Sequence, residues 1–158
     1  MIAVETRNLT LSTLSFGVCF AVWSIFSIIG IEIKQDLGLD ETEFGLLIAT
    51  PILTGSLTRI FLGIWADQYG GRSVFFAVMV LTAIATWMLS MASTYPMFLL
   101  SALGVGLAGG SFAVGITFVS CWYGKDRQGM MLGIFGMGNA GAAVTNFCAP
   151  FLLVAYGW

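Results

Sequence analysis

Arg59 sits inside an apolar run, residues 44–66, that holds no other charged side chain. A charge at the centre of such a run costs roughly 2.5–3.5 kcal/mol on membrane-insertion scales and marks a functional position by default. On a helix, Pro51, Gly55 and Gly63 share its face at four-residue intervals, and small neighbours are expected to leave open volume in front of the guanidinium for a small ligand. Two plainer roles stand beside that one. By helical rise Arg59 lies about 10 Å from one end of its run, so it can snorkel to that interface. It can also pair with a carboxylate, yet no other apolar run contains Asp or Glu.

Two further clusters carry polar chemistry. Gly136-Met137-Gly138-Asn139-Ala140-Gly141 places an amide in a glycine-lined segment, with Asn146 seven residues on along the same face. A buried amide needs a partner, in a neighbouring helix or in a ligand. The stretch Gly63-Ile64-Trp65-Ala66-Asp67-Gln68-Tyr69-Gly70-Gly71-Arg72 closes one apolar run and opens the next. Its glycines allow tight turning and close approach. Asp67 is placed to cap or pair near the start of the following helix, and Arg72 to bridge to a neighbouring helix end. A plain turn is the simpler reading.

The elements that must position these residues are transmembrane helices. A span needs about 20 apolar residues, and five windows qualify: 11–31, 44–66, 73–93, 97–121 and 130–156. The first is longer than a signal-peptide core and is followed by no A-x-A site, so it reads as a true span. Nearly all charge falls in the connectors. With the N-terminus inside, Arg7, Arg72, Lys125 and Arg127 are cytoplasmic and only Lys34 is outside. The positive-inside bias therefore predicts a cytoplasmic N-terminus. Asp40 and Glu43 resemble a capping box before the second span. Pro96 sits where a helix start tolerates it, and Pro150 is expected to kink or end the fifth span. Glycines crowd the fourth and fifth spans, which permits backbone-to-backbone packing.

Composition agrees. The chain is 58% hydrophobic and 9% charged, with no histidine and a net charge of -2, against about 25% charged residues in soluble domains. Lipid is the expected outer solvent. No basic run tracks phosphates, so no nucleic-acid partner is expected. Cys19, Cys121 and Cys148 lack zinc spacing and read as packing residues. No metal or cofactor is expected. An intramembrane enzyme would need paired carboxylates, a metal set or a nucleophile with its base, and none is present in the spans.

The pattern G-x-x-x-D-x-x-G-x-R at Gly63, Asp67, Gly70 and Arg72 resembles the loop motif of the major facilitator superfamily. The family usually carries further basic residues where this chain has Gln68 and Gly71. Gly133-Ile134-Phe135-Gly136-Met137-Gly138-Asn139-Ala140-Gly141 is similar to the nitrate signature of the nitrate/nitrite porter branch. Gly109-Gly110-Ser111-Phe112-Ala113-Val114-Gly115 resembles that branch's fourth-helix segment, with Ser111 where some members have asparagine. Arg59 falls where the branch places its second-helix substrate arginine. The resemblance covers essentially the whole chain.

It implies an all-α membrane protein in which residues 1–158 form about five helices of the N-terminal six-helix half of a twelve-helix carrier, with the C-terminal half absent. It implies a multi-pass protein of the cell inner (plasma) membrane that moves nitrate or nitrite by alternating access. A facilitator for another small organic anion or a sugar is the alternative. Arg59 would grip two oxygens of the planar anion through its fork, Asn139 would donate to the third, and Phe112 would stack on the flat face or simply pack. Gly136 and Gly138 would let backbone come close. A second arginine would come from the missing half, and the two halves would rock about the site.

Overall fold

The computed structural model describes residues 2–156, and among these every regular element is helical. Five helical segments are long and apolar enough to cross a membrane. The first crossing is made by α1 (Ile2–Trp23) and α2 (Phe26–Leu37); α3 (Glu41–Tyr69), α4 (Gly71–Ser90) and α5 (Tyr95–Ser120) each cross singly; α6 (Lys125–Gly136) and α7 (Ala140–Tyr156) share the fifth, joined by a 3-10 turn at Met137–Asn139.

The sequence explains most helix ends. Gly38 adopts a left-handed conformation (φ 63°) and its N–H caps α2 on the Lys34 carbonyl. Asp40 then starts α3 with a complete capping box: Glu43 N–H donates to Asp40 Oδ1 at 2.7 Å, and Asp40 N–H to Glu43 Oε2 at 3.2 Å. Such a cap stabilises by about 0.5–2 kcal/mol. Pro96 occupies the first turn of α5, where its missing N–H costs nothing. At the other end of α5, Gln128 Nε2 donates to the Ser120 carbonyl at 3.1 Å, satisfying one of the acceptors a helix terminus leaves open.

Two spans are interrupted. In the first, Ile25 N–H turns to the Val22 carbonyl, and the Ala21 carbonyl takes hydroxyls from Ser24 and from Thr145 of α7, each at 3.0 Å. In the fifth the interruption falls at Met137–Asn139, thirteen residues earlier than Pro150 suggests. Pro150 does not end its helix, which runs on to Tyr156.

The fourth span is the centre of the bundle. Its most apolar stretch is 56% buried, against 6% for the fifth span, and it packs against α1, α3, α4 and α6. Glycine makes this possible where helices touch: a methyl on Gly115 would occupy the space of the buried Phe135 ring. One core cluster gathers Phe16, Leu62, Val78, Val114 and Phe135; a second gathers Phe26, Ile33, Leu47, Phe98 and Val105. Large apolar side chains such as Leu53, Leu57 and Ile60 on α3, and Phe147 and Phe151 on α7, remain exposed on the outside.

Candidate anion site and conformational motif

Arg59 is half-buried on the face of α3 that meets α5. Its Nε donates to the Gly109 carbonyl at 3.2 Å, and its guanidinium carbon stands 5.9 Å from the centre of the Phe112 ring. Among the described residues it forms no ion pair. The hydrogen bond uses Nε alone, and among the described residues the two terminal nitrogens have no partner. An interhelical hydrogen bond in a membrane averages about 0.6 kcal/mol, and a partly desolvated cation–π contact adds roughly 0.5–2 kcal/mol. Neither is large against the cost of placing the charge there.

The volume expected in front of the guanidinium is partly taken. A methyl on Gly55 would come within 3.0 Å of the Gly106 carbonyl and 3.2 Å of Trp23 Nε1. Gly55 therefore serves helix contact, while Gly63 has only an ordinary 4.0 Å approach to Ala113. Trp23 is the residue the sequence reading passed over. Its Nε1 donates to the Pro51 carbonyl at 3.0 Å. The available signal was an indole within a span, whose N–H must find an acceptor.

Phe112 belongs to an aromatic cluster. Its ring lies 5.4 Å from Phe16 and 6.1 Å from Phe135, and Phe16 stacks on Phe135 at 4.8 Å. One face of Phe112 is thus packing surface, and Arg59 lies near the ring as well. Phe135 carries this cluster to the fifth span and sets Gly136 next to it in the chain.

Asn139 is not buried as its glycine-lined surroundings suggest. It is exposed, and its Nδ2 donates to the Gly136 carbonyl at 2.9 Å within its own 3-10 turn. Asn146 is exposed too. The two glycines differ. Gly138 is buried against α1, where a methyl would sit 3.0 Å from the Thr13 carbonyl and run into Phe16. At Gly136 a methyl would meet nothing within 4 Å. The structure therefore joins Arg59 to Phe112 directly, Phe112 to the neighbour of Gly136, and leaves Asn139 bonded locally.

The motif between α3 and α4 turns on Gly70, which has φ 84° and separates the two helices by a single residue. Such a backbone favours glycine. Gly71 is fixed for another reason: a methyl there would lie 2.6 Å from Phe118 Cβ, so a longer basic residue has no room. Asp67 does not take the capping role its position suggests, because α4 starts at Gly70 without a side-chain cap. Asp67 and Arg72 are both exposed, and neither has an ion pair among the described residues. Arg72 instead faces Arg7, Asn8 and Ser12 across a cavity of 430 Å³ at this end of the bundle.

The described residues thus form a helical bundle with an arginine inside the second crossing and a glycine turn between the second and third. The chain belongs to the Major Facilitator Superfamily, which it matches over residues 11–158. It is 46% identical over 149 residues to a probable nitrate/nitrite antiporter of Thermus thermophilus, covering 94% of this chain and 34% of that protein. It is 37% identical over 151 residues to a probable nitrate transporter of Staphylococcus epidermidis and 35% identical to one of Staphylococcus carnosus, covering 96% of this chain and 39% of each. The chain thus spans about a third to two-fifths of the length of the curated relatives it matches.

Proposed function

We propose that this chain is the N-terminal part of a secondary carrier for nitrate and nitrite, and that Arg59 is its half of the anion site. The observation that carries the reading is the guanidinium fork of Arg59 inside the second span, unpaired among the described residues, held by Nε to Gly109 and close to the Phe112 ring. A planar monoanion with three oxygens matches a planar fork with parallel donors. The relatives, a probable nitrate/nitrite antiporter and a probable nitrate transporter, support the same substrate class.

In the working carrier, Phe112 lies beside the anion, Gly136 gives it backbone access, and Asn139 turns from its local bond to a ligand oxygen when the remaining helices enclose the fifth span. Gly138 supports the site by seating that span on α1. A second cation from the rest of the protein balances the dehydrated anion, and the two halves rock about it. Gly63, Asp67, Gly70 and Arg72 form the contact that holds one state closed; Asp67 and Arg72 find their partners in that state. The protein lies in the cell inner (plasma) membrane with Arg7, Arg72, Lys125 and Arg127 on the cytoplasmic side. It is a carrier and not an enzyme.

The test is uptake of labelled nitrate by transport-deficient bacteria expressing the full-length protein that contains this chain, with unlabelled nitrite, a monocarboxylate and a sugar as competitors. The proposal expects uptake above vector controls that nitrite suppresses and the others do not. Uptake suppressed by the carboxylate or the sugar, or no nitrate uptake at all, points to a facilitator for another solute.

A further inference from the structure

Trp23 closes α1 immediately before the break in the first span, and its side chain reaches two other helices at once. Its Nε1 donates to the Pro51 carbonyl of α3 at 3.0 Å. Its indole fills the space above Gly109 of α5, where a methyl would come 2.8 Å from Nε1 and 2.9 Å from Cε2. The same indole lies 3.2 Å from where a methyl on Gly55 would stand. Both neighbouring helices therefore have glycine where the ring enters.

Gly109 is also the residue whose carbonyl accepts from Arg59 Nε. Arg59 is thus tethered twice, by its own backbone on α3 and by its Nε on α5. Trp23 is wedged between these two helices on the side of Gly55, one turn along α3 from Arg59. A second chain of contacts ends at the same arginine: Trp23 lies 5.1 Å from Phe20, Phe20 5.4 Å from Phe16, and Phe16 5.4 Å from Phe112, whose ring lies near the guanidinium. We propose that Trp23 is a positioning residue for anion recognition: it fixes the spacing of α3 and α5 at Gly109 and so sets the direction of the Arg59 fork. The inference rests on the reading of Arg59 as the anion-binding group.

A positioning role differs from ordinary packing in what it changes. An apolar ring of similar size would still fill the gap, but without the N–H it would lose the anchor on Pro51. A displaced fork weakens capture of the anion, whereas loss of packing lowers the amount of folded protein. The bond to Pro51 is of the kind whose loss changes an equilibrium by roughly 3- to 10-fold.

The experiment uses the full-length carrier in transport-deficient bacteria, with membrane amounts measured by blot and nitrate kinetics by labelled uptake. Trp23→Phe keeps a ring and removes the N–H; Gly109→Ala leaves Trp23 in place and pushes its ring aside. Each is expected to raise KM for nitrate by roughly 3- to 10-fold at near-normal kcat and membrane amount. In the Arg59→Lys background, which has no fork to direct, Trp23→Phe is expected to add little. Unchanged KM with reduced protein makes Trp23 a packing residue and overturns the inference, as does a full additive effect on top of Arg59→Lys. Failure of the unsubstituted carrier to take up nitrate removes the anion-site reading itself, and the inference with it.

Discussion

The guanidinium carbon of Arg59 stands 5.9 Å from the centre of the Phe112 ring, one residue from α3 and one from α5. The ring face is electron-rich and the cation is poorly solvated at this depth, so the pair holds the fork near a flat surface. On the proposed reading, a planar anion beside it would meet donors at its edge and an aromatic face nearby.

Phe112→Leu keeps an apolar side chain and removes the ring face. A cation–π contact of this kind is worth about 0.5–2 kcal/mol, so nitrate affinity should fall by roughly 2- to 30-fold. Phe112→Tyr should retain most of it. Uptake kinetics at matched membrane amounts provide the check; equal affinities for Leu and Phe would make Phe112 a packing residue only.

Gly136 and Gly138 separate by what surrounds them. Gly138→Ala drives a methyl into Phe16 and toward the Thr13 carbonyl, and overpacking of this kind costs about 1–3 kcal/mol. Gly136→Ala enters open space and should change stability by less than about 0.5 kcal/mol. Thermal unfolding of the purified carrier in detergent measures both. Our account of Gly136 as a point of backbone access adds that its alanine variant should lose nitrate affinity while keeping its unfolding temperature.

Asp67 is exposed and has no ion pair among the described residues. Asp67→Asn should therefore leave the unfolding temperature unchanged, within about 0.5 kcal/mol of stability. If its partner belongs to another state of the carrier, the same substitution slows turnover. A variant with normal turnover would reduce the motif to a simple connection.

The number of spans and the start of α3 were legible because their signals are local. Twenty apolar residues make a span whatever surrounds them, and Asp40 and Glu43 close their capping box within one turn. The break after Trp23 was not legible: neither Ser24 nor Ile25 is a helix breaker, and the freed Ala21 carbonyl is satisfied by Thr145, 124 residues away. Asn139 was misplaced for a related reason. A steady helical period puts it toward the bundle, whereas the 3-10 turn at Met137–Asn139 bonds it locally and leaves it exposed. Pro150 was expected to kink or end the fifth span, and of these the end does not occur, since α7 runs on to Tyr156. Residue type alone singled out Arg59 as the candidate. Its tether to Gly109 and the wedge of Trp23 depend on how three helices meet, which no spacing within one helix encodes. The substrate class came from resemblance, not from periodicity.

The most direct measurement is nitrate affinity of the full-length carrier with Arg59→Lys. Lysine keeps the charge and loses the planar fork. A charge-assisted hydrogen bond contributes roughly 1.5–3 kcal/mol, so the account predicts a loss of about 10- to 100-fold in kcat/KM at normal membrane amount. Uptake by the lysine variant indistinguishable from the unsubstituted carrier would contradict the assignment of Arg59 as the group that recognises the anion.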